Sequence, residues 1–326
     1  MKIENDGLLG AWLVSEEGRA ESIDWRHLDD RIEPGTWRWI HLHRDGPGTQ
    51  AWLLDGEIPP NQIAWALMAD DTRPRYTEID GTSLLFLRGV NLNEGAEPED
   101  MISLRLSIDA HTVITVGLRR LHTIDAMMQD FRVGDIPPSP GAFVERLIRY
   151  LRQRAEPVVD ELEEVIARHE LDALRHTGAP NVETRNAFTD ARQDAVILRR
   201  YMVPQAEALR TILRHAPDWL HGTEAMEEEA ANHDRIVEDL DSVRERAAVL
   251  RDEMGARLAE RMNEIMLALS IVSVVFLPIT FVTGMFGMNV AGLPLTQVPW
   301  GFWAVCGFML ACTGLTAFML WRMLRR

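Results

Sequence analysis

Residues 265–321, opening on Ile265 and closing on Trp321, form a run of 57 positions without one charged side chain. A buried soluble core does not need so long an uncharged stretch. Positions 265–286 and 300–321 supply 22 residues each, a little over the roughly 20 that cross hydrocarbon. Trp300, Trp303 and Trp321 stand near the ends of the second segment, where aromatic belts sit. Two spans return both chain ends to one side. Arg322, Arg325 and Arg326 assign that side to the cytoplasm by the positive-inside rule. The expected division is a first span at 265–286, an outer loop at 287–299, a second span at 300–321 and a basic tail at 322–326.

The rest of the chain carries the charge. Residues 263–326 hold one acid, Glu264, and three bases, so the overall net charge of -16 leaves -18 on residues 1–262. A part so acidic is unsuited to nucleic acid, which demands clustered positive charge, and it suits cations. Both cysteines, Cys306 and Cys312, lie in the second apolar run. The soluble part is thereby denied a disulfide framework or a cysteine-rich zinc site. The first ten residues lack the basic flank and apolar core of an export signal.

Residues 1–222 read as a cytoplasmic α/β domain with a helical part. Strands are expected at 8–14 and 36–43, the second with Trp37, Trp39 and His41 on one face and Arg38, Ile40 and Leu42 on the other. Pro59-Pro60 opens a short helix through about Met68. Asp80-Gly81 between 73–79 and 82–92 is a two-residue hairpin signal, and 101–108 with 112–118 makes a second hairpin. A short helix follows at 121–131. Two long helices come next, one with Pro157 as a bend and one from Thr184 to about His215 with a kink near Pro204.

From Thr223 no helix breaker occurs until Pro278. Ile236, Leu240, Val243, Ala247, Leu250 and Met254 form a heptad-like seam for packing along another helix. Residues 223–264 are therefore expected as a stalk continuous with the first span. Unbroken to Phe286, such a helix extends roughly 95 Å at about 1.5 Å per residue.

At about 100° per residue, Gly284, Thr280, Leu277, Ser273, Ser270, Met266, Asn263, Ala259 and Asp252 fall within one arc of this helix. Pro278 falls on the far side, and Thr283 is the hydroxyl residue off the arc. A polar or small stripe on a spanning helix either packs on a neighbour or lines water. Its continuation into Asn263 and Asp252 favours a conduction path. One stripe cannot enclose a pore, so transport by a two-span chain requires a homo-oligomer. Gly301, Gly307 and Gly314 would let the second span approach another helix closely.

Between the spans lies Gly287-Met288-Asn289. In that position, after a long charged helix and before a basic C-terminus, it resembles the motif of the CorA superfamily of divalent-cation transporters. Residues 284–294 (GMFGMNVAGLP) and 87–93 (LRGVNLN) followed by Pro98-Glu99-Asp100-Met101 resemble the ZntB zinc-transporter branch. The resemblance implies a homopentameric funnel in the bacterial inner membrane, an α+β membrane protein with a cytoplasmic α/β/α domain. It further implies that the first span lines the pore, the second forms an outer ring, and Gly287, Met288 and Asn289 form the cation mouth. The cargo it implies is Zn2+, with a Mg2+, Co2+ or Ni2+ channel of the same build as the alternative. A membrane scaffold that transports nothing is the alternative of another class. The cation is cargo, and neither a resident cofactor nor an enzymatic activity is expected. The loop 287–299 contains no Asp or Glu, so a mouth there works through amide and backbone oxygens.

His215, His221 and His233, with Glu227 among nearby acids, are the candidates for a cytoplasmic regulatory metal site. His41 with His43 and His169 with His176 are weaker pairs.

Overall fold

The computed structural model describes residues 6–56, 58–70, 73–175, 182–288, 293–295 and 298–324. These divide into two compact units, residues 1–251 and 252–326.

The first unit is built on a seven-stranded sheet of order β2-β1-β3-β7-β6-β5-β4. Its strands are β1 (Leu8–Val14), β2 (Ala20–Ser22), β3 (Trp37–His43), β4 (Arg75–Ile79), β5 (Thr82–Gly89), β6 (Ile102–Ile108) and β7 (Thr112–Gly117). All neighbouring strands are antiparallel except β3 and β7, which run parallel. The tight β4–β5 turn follows from Asp80 and Gly81, at φ 50° and 77°, the left-handed pair a type I′ hairpin requires.

Helices cover both faces. On one side α1 (Pro47–Asp55) and α2 (Asn61–Met68) close a core of Ile40, Leu42, Leu53, Ile63, Leu67, Phe86 and Val116. On the other, α3 (His122–Val133), α4 (Pro140–Arg175), α5 (Val182–His215) and the first part of α6 (Glu224–Phe286) contribute to a core around Trp12, Trp37, Trp39, Phe131 and Phe143. The alternation in β3 thus sorts as expected, tryptophans to one layer and Ile40 and Leu42 to the other. The unit is an α/β/α sandwich. Pro157 and Pro204 lie inside α4 and α5 without ending them.

α6 is one helix of 63 residues. Every member of its expected seam, from Ile236 to Met254, is buried. Ion pairs at the rim of this packing tie it to α4 through Arg152–Glu229 and Arg246–Glu170, and to α5 through Arg199–Asp241 and Arg210–Asp234.

Candidate functional site

The second unit holds the end of α6 and α7 (Gly301–Leu324). Both α6 and α7 contain segments long and apolar enough to cross a bilayer, and those segments are almost wholly unburied. Leu277 is 73% and Trp303 also 73% exposed. A water-soluble protein does not present such continuous apolar surface.

On α6 the expected stripe residues Gly284, Thr280, Leu277, Ser273, Ser270, Met266, Asn263 and Asp252 are all exposed. Their hydroxyl chemistry is specific. Ser270 donates to the Met266 carbonyl (2.8 Å), Ser273 to Leu269 (2.9 Å) and Thr280 to Phe276 (2.9 Å). Each hydroxyl hydrogen is thus used within the helix, as apolar surroundings demand. What remains for the outside is a pair of oxygen lone pairs per residue, an acceptor without a competing donor. Thr283, off the stripe, does the same toward Ile279.

Pro278 lies within the helix and does not end it. The helix does end at Phe286, and the Gly287 N–H closes its last turn on the Thr283 carbonyl (2.9 Å). A Cβ on Gly287 would lie 3.1 Å from that oxygen, whereas one on Gly284 would meet open space. Gly287 and Met288 are exposed; Asn289 lies outside the described residues. Gly301 opens α7 where a Cβ would meet the Leu295 carbonyl at 2.0 Å. Cys306 and Cys312 are free thiols.

The proposed cytoplasmic metal ligands do not come together. His221 and Glu227 are exposed. The His215 Nδ1 donates to the Thr211 carbonyl (2.9 Å), and its ring lies beside Tyr76. His233 is fully buried. Among the described residues no group of three or more His, Cys, Asp or Glu is arranged to hold a metal.

His233 instead belongs to a polar relay that sequence reading missed. The Arg88 backbone N–H donates to Gln205 Oε1 (2.7 Å), which fixes the amide orientation. Gln205 Nε2 then faces His233 Nε2 at 3.4 Å, and His233 Nδ1 donates to the Glu229 carbonyl (2.9 Å). The imidazole is neutral in this pattern, and burial, the largest influence, holds its pKa below 6.5. Glu229 is bound in turn by Arg152 Nε at 2.8 Å. A signal was present: Leu198, Met202, Gln205, Leu209 and Ile212 step along one face of α5, so Gln205 interrupts an apolar stripe.

An α/β/α soluble unit followed by two exposed, bilayer-length helices defines a membrane protein with a large extramembrane domain. The sequence model described as CorA-like Mg2+ transporter protein matches residues 34–326. The chain is 36% identical over 287 residues to the divalent cation transporter CmaX of Pseudomonas aeruginosa, covering 87% of this chain and 85% of that one. It is 29% identical over 323 residues to the zinc transport protein ZntB of Pectobacterium carotovorum, covering 98% and 97%. The solved full-length CmaX structure superposes with a TM-score of 0.83 at 31% identity, covering 100% of this chain and 99% of that one. The chain belongs to the CorA-like family.

Proposed function

We propose that this protein moves divalent metal cations, zinc foremost, across the bacterial inner membrane along the axis of a homopentamer. Both termini are cytoplasmic, with residues 223–264 as a stalk and 287–299 as the outer loop. The observation that carries this reading is the acceptor-only face of α6, where Ser270, Ser273 and Thr280 present oxygens whose hydrogens are already committed. The names of its relatives, a divalent cation transporter and a zinc transport protein, support the same cargo.

Ions enter at Gly287, Met288 and Asn289. Five Asn289 amide oxygens make a neutral ring that holds a cation's water shell without trapping it. The path continues past Gly284, Thr280, Leu277, Ser273, Ser270 and Met266, and leaves by Asn263 and Asp252. Leu277 and Met266, 73% and 55% exposed on that face, close it by dewetting. The acidic soluble part draws cations inward.

A second reading, a Mg2+, Co2+ or Ni2+ channel of the same build, is kept because the matching family is described by Mg2+. Flux into proteoliposomes separates the readings: zinc and magnesium are offered singly and in competition, with and without a pH gradient. Zinc flux that magnesium does not displace supports the first. Flux unaffected by Asn289→Ala sinks the assignment of the mouth, and absence of any cation flux leaves a membrane scaffold.

A further inference from the structure

Past Met254, where the buried seam ends, α6 leaves both flanks of its stripe uncovered. On one flank Leu258 and Met262 are 47% and 56% exposed. They precede Ile265, the start of the uncharged run, by seven and three residues, about 10 and 5 Å of helix. Hydrocarbon therefore does not cover them. Alone, two exposed apolar side chains need no explanation; the opposite flank supplies one. There an open groove of about 560 Å³ is lined by Ala256, Ala259, Glu260, Asn263, Glu264 and Leu267. At about 100° per residue, Met262 and Leu258 stand roughly 50° and 90° to one side of the stripe's midline, and Ala256 and Leu267 roughly 70° and 90° to the other. The small side chains of Ala256 and Ala259 leave room for large ones.

Charge follows the same division. Arg257 is paired with Glu253 one turn earlier (2.6 Å). Among the described residues Arg261, Glu260 and Glu264 have no ion pair, although Glu264 is only three positions from Arg261. Arg261 lies beyond Leu258 on the first flank, and the two acids lie beyond Leu267 on the second, all roughly 110–150° from the midline. Each flank thus carries an apolar contact nearer the stripe and an unmatched charge outside it, and the charges of the two flanks are opposite. Coiled coils arrange an apolar seam and its charged borders in this way. A flank that fits the opposite flank, and not itself, makes a heterologous contact, which repeats from copy to copy until a ring closes. Around such a ring every stripe faces the axis.

We propose that this stretch of α6 docks on a second copy of the chain through its two opposite flanks. Leu258 and Met262 of one copy fill the groove over Ala256 and Ala259 of the next, and Arg261 faces Glu260 and Glu264 of that next copy. The contact rests on the reading of the protein as a homo-oligomer and names the seam that orients the stripe.

The test uses the full-length protein in membranes, with Cys306→Ala and Cys312→Ala as the background. Leu258→Cys combined with Ala256→Cys, oxidised by copper phenanthroline, joins chains into a ladder that extends beyond the dimer. Either substitution alone gives little product, because neither residue meets its own copy. A second measurement needs no cross-link. Arg261→Glu lowers the oligomer fraction in mild detergent several-fold by native mass spectrometry, and adding Glu260→Arg with Glu264→Arg restores it, which a merely misfolded variant does not allow. Single variants that cross-link as well as the pair make the contact isologous and overturn the proposal. It is equally overturned by a pair that stays uncross-linked in an oligomeric protein, or by charge reversal without restoration. Cation flux on the same preparations separates the two readings: flux with no cross-link strikes this seam alone, whereas a monomeric wild type strikes the transport path as well.

Discussion

Gln205→Leu removes a side chain that joins β5 to α6 through hydrogen bonds. Leucine has nearly the same volume, so packing is preserved while two polar partners are lost. The Arg88 N–H, satisfied by Gln205 Oε1 at 2.7 Å, becomes a buried orphan donor at a cost of about 1–3 kcal/mol. The His233 Nε2 loses its only donor in the relay. That contact is 3.4 Å long, so its loss adds about 1 kcal/mol. Greater apolar burial by leucine returns roughly 1 kcal/mol. The net expectation is a loss of about 2–3 kcal/mol, a fall in midpoint on the order of 5–10 °C for a unit of this size. Denaturant unfolding of the detergent-solubilised protein reads it through the buried Trp37, Trp39 and Trp219. Gln205→Glu keeps an acceptor for the Arg88 N–H and places a carboxylate oxygen against His233, so it is expected to lose little and to favour the imidazolium. A Gln205→Leu protein within about 0.5 kcal/mol of wild type would refute the relay as a determinant of stability.

Acid should weaken the soluble unit. Burial holds His233 below 6.5 and His41 at about 4. Groups whose folded pKa is depressed in this way stabilise the fold only while neutral. Their contribution is complete above the unfolded value of 6.5 and is lost as pH falls through it toward the folded values. Urea midpoints should therefore drop between pH 7 and 5, with a shallower slope in His233→Gln. Glu229→Ala strands Arg152, whose side chain is 13% exposed and keeps only Glu156; a loss of about 2–4 kcal/mol is expected in the same assay. Gly81→Ala at φ 77° should cost about 1 kcal/mol by straining the β4–β5 turn. Thr280→Val should lower zinc flux several-fold at unchanged protein yield, while Thr283→Val, off the stripe, should leave it near wild type; equal effects would dissolve the assigned phase of the helix.

Much of the architecture was legible because its signals are local. The period-2 pattern of β3, Asp80-Gly81, the seam from Ile236 to Met254 and the uncharged run at 265–321 each declare their structure within a few turns of chain. Among the elements not anticipated, two are instructive. α1 carries Pro47, Gly48 and Thr49, a weak helical composition whose burial of Thr49 and Leu53 against the sheet prevails over propensity. β2 is three residues long and exists by pairing with β1. Pro157 and Pro204, where a bend and a kink were expected, lie inside continuous helices, since tertiary packing outweighs one lost hydrogen bond in helices of 36 and 34 residues. For the candidate path, the stripe was visible as a phase relation, whereas the direction of the hydroxyl hydrogens was not. The histidine cluster misled because neighbours in sequence at a helix start point to different environments: His233 inward to Gln205, His221 outward to solvent.

The parallel β3–β7 ladder sets the order in which the soluble unit can form. Strands near one another in sequence make β2-β1-β3 on one side, where β3 returns to β1 past β2, and β7-β6-β5-β4 on the other, where each strand pairs with the next in the chain. The two halves meet only across a gap of 74 residues, measured from His41 to Thr115. There the Thr115 hydroxyl accepts from Trp39 Nε1 and His41 Nδ1, both at 2.9 Å, and donates to the Ile40 carbonyl. Closing so long a loop carries an entropic barrier that local hairpins do not. On the ribosome, β3 must therefore wait, with its tryptophans uncovered, until β7 has been synthesised. Thr115 is the latch of that late step, and its loss would slow assembly more than it would alter the finished fold.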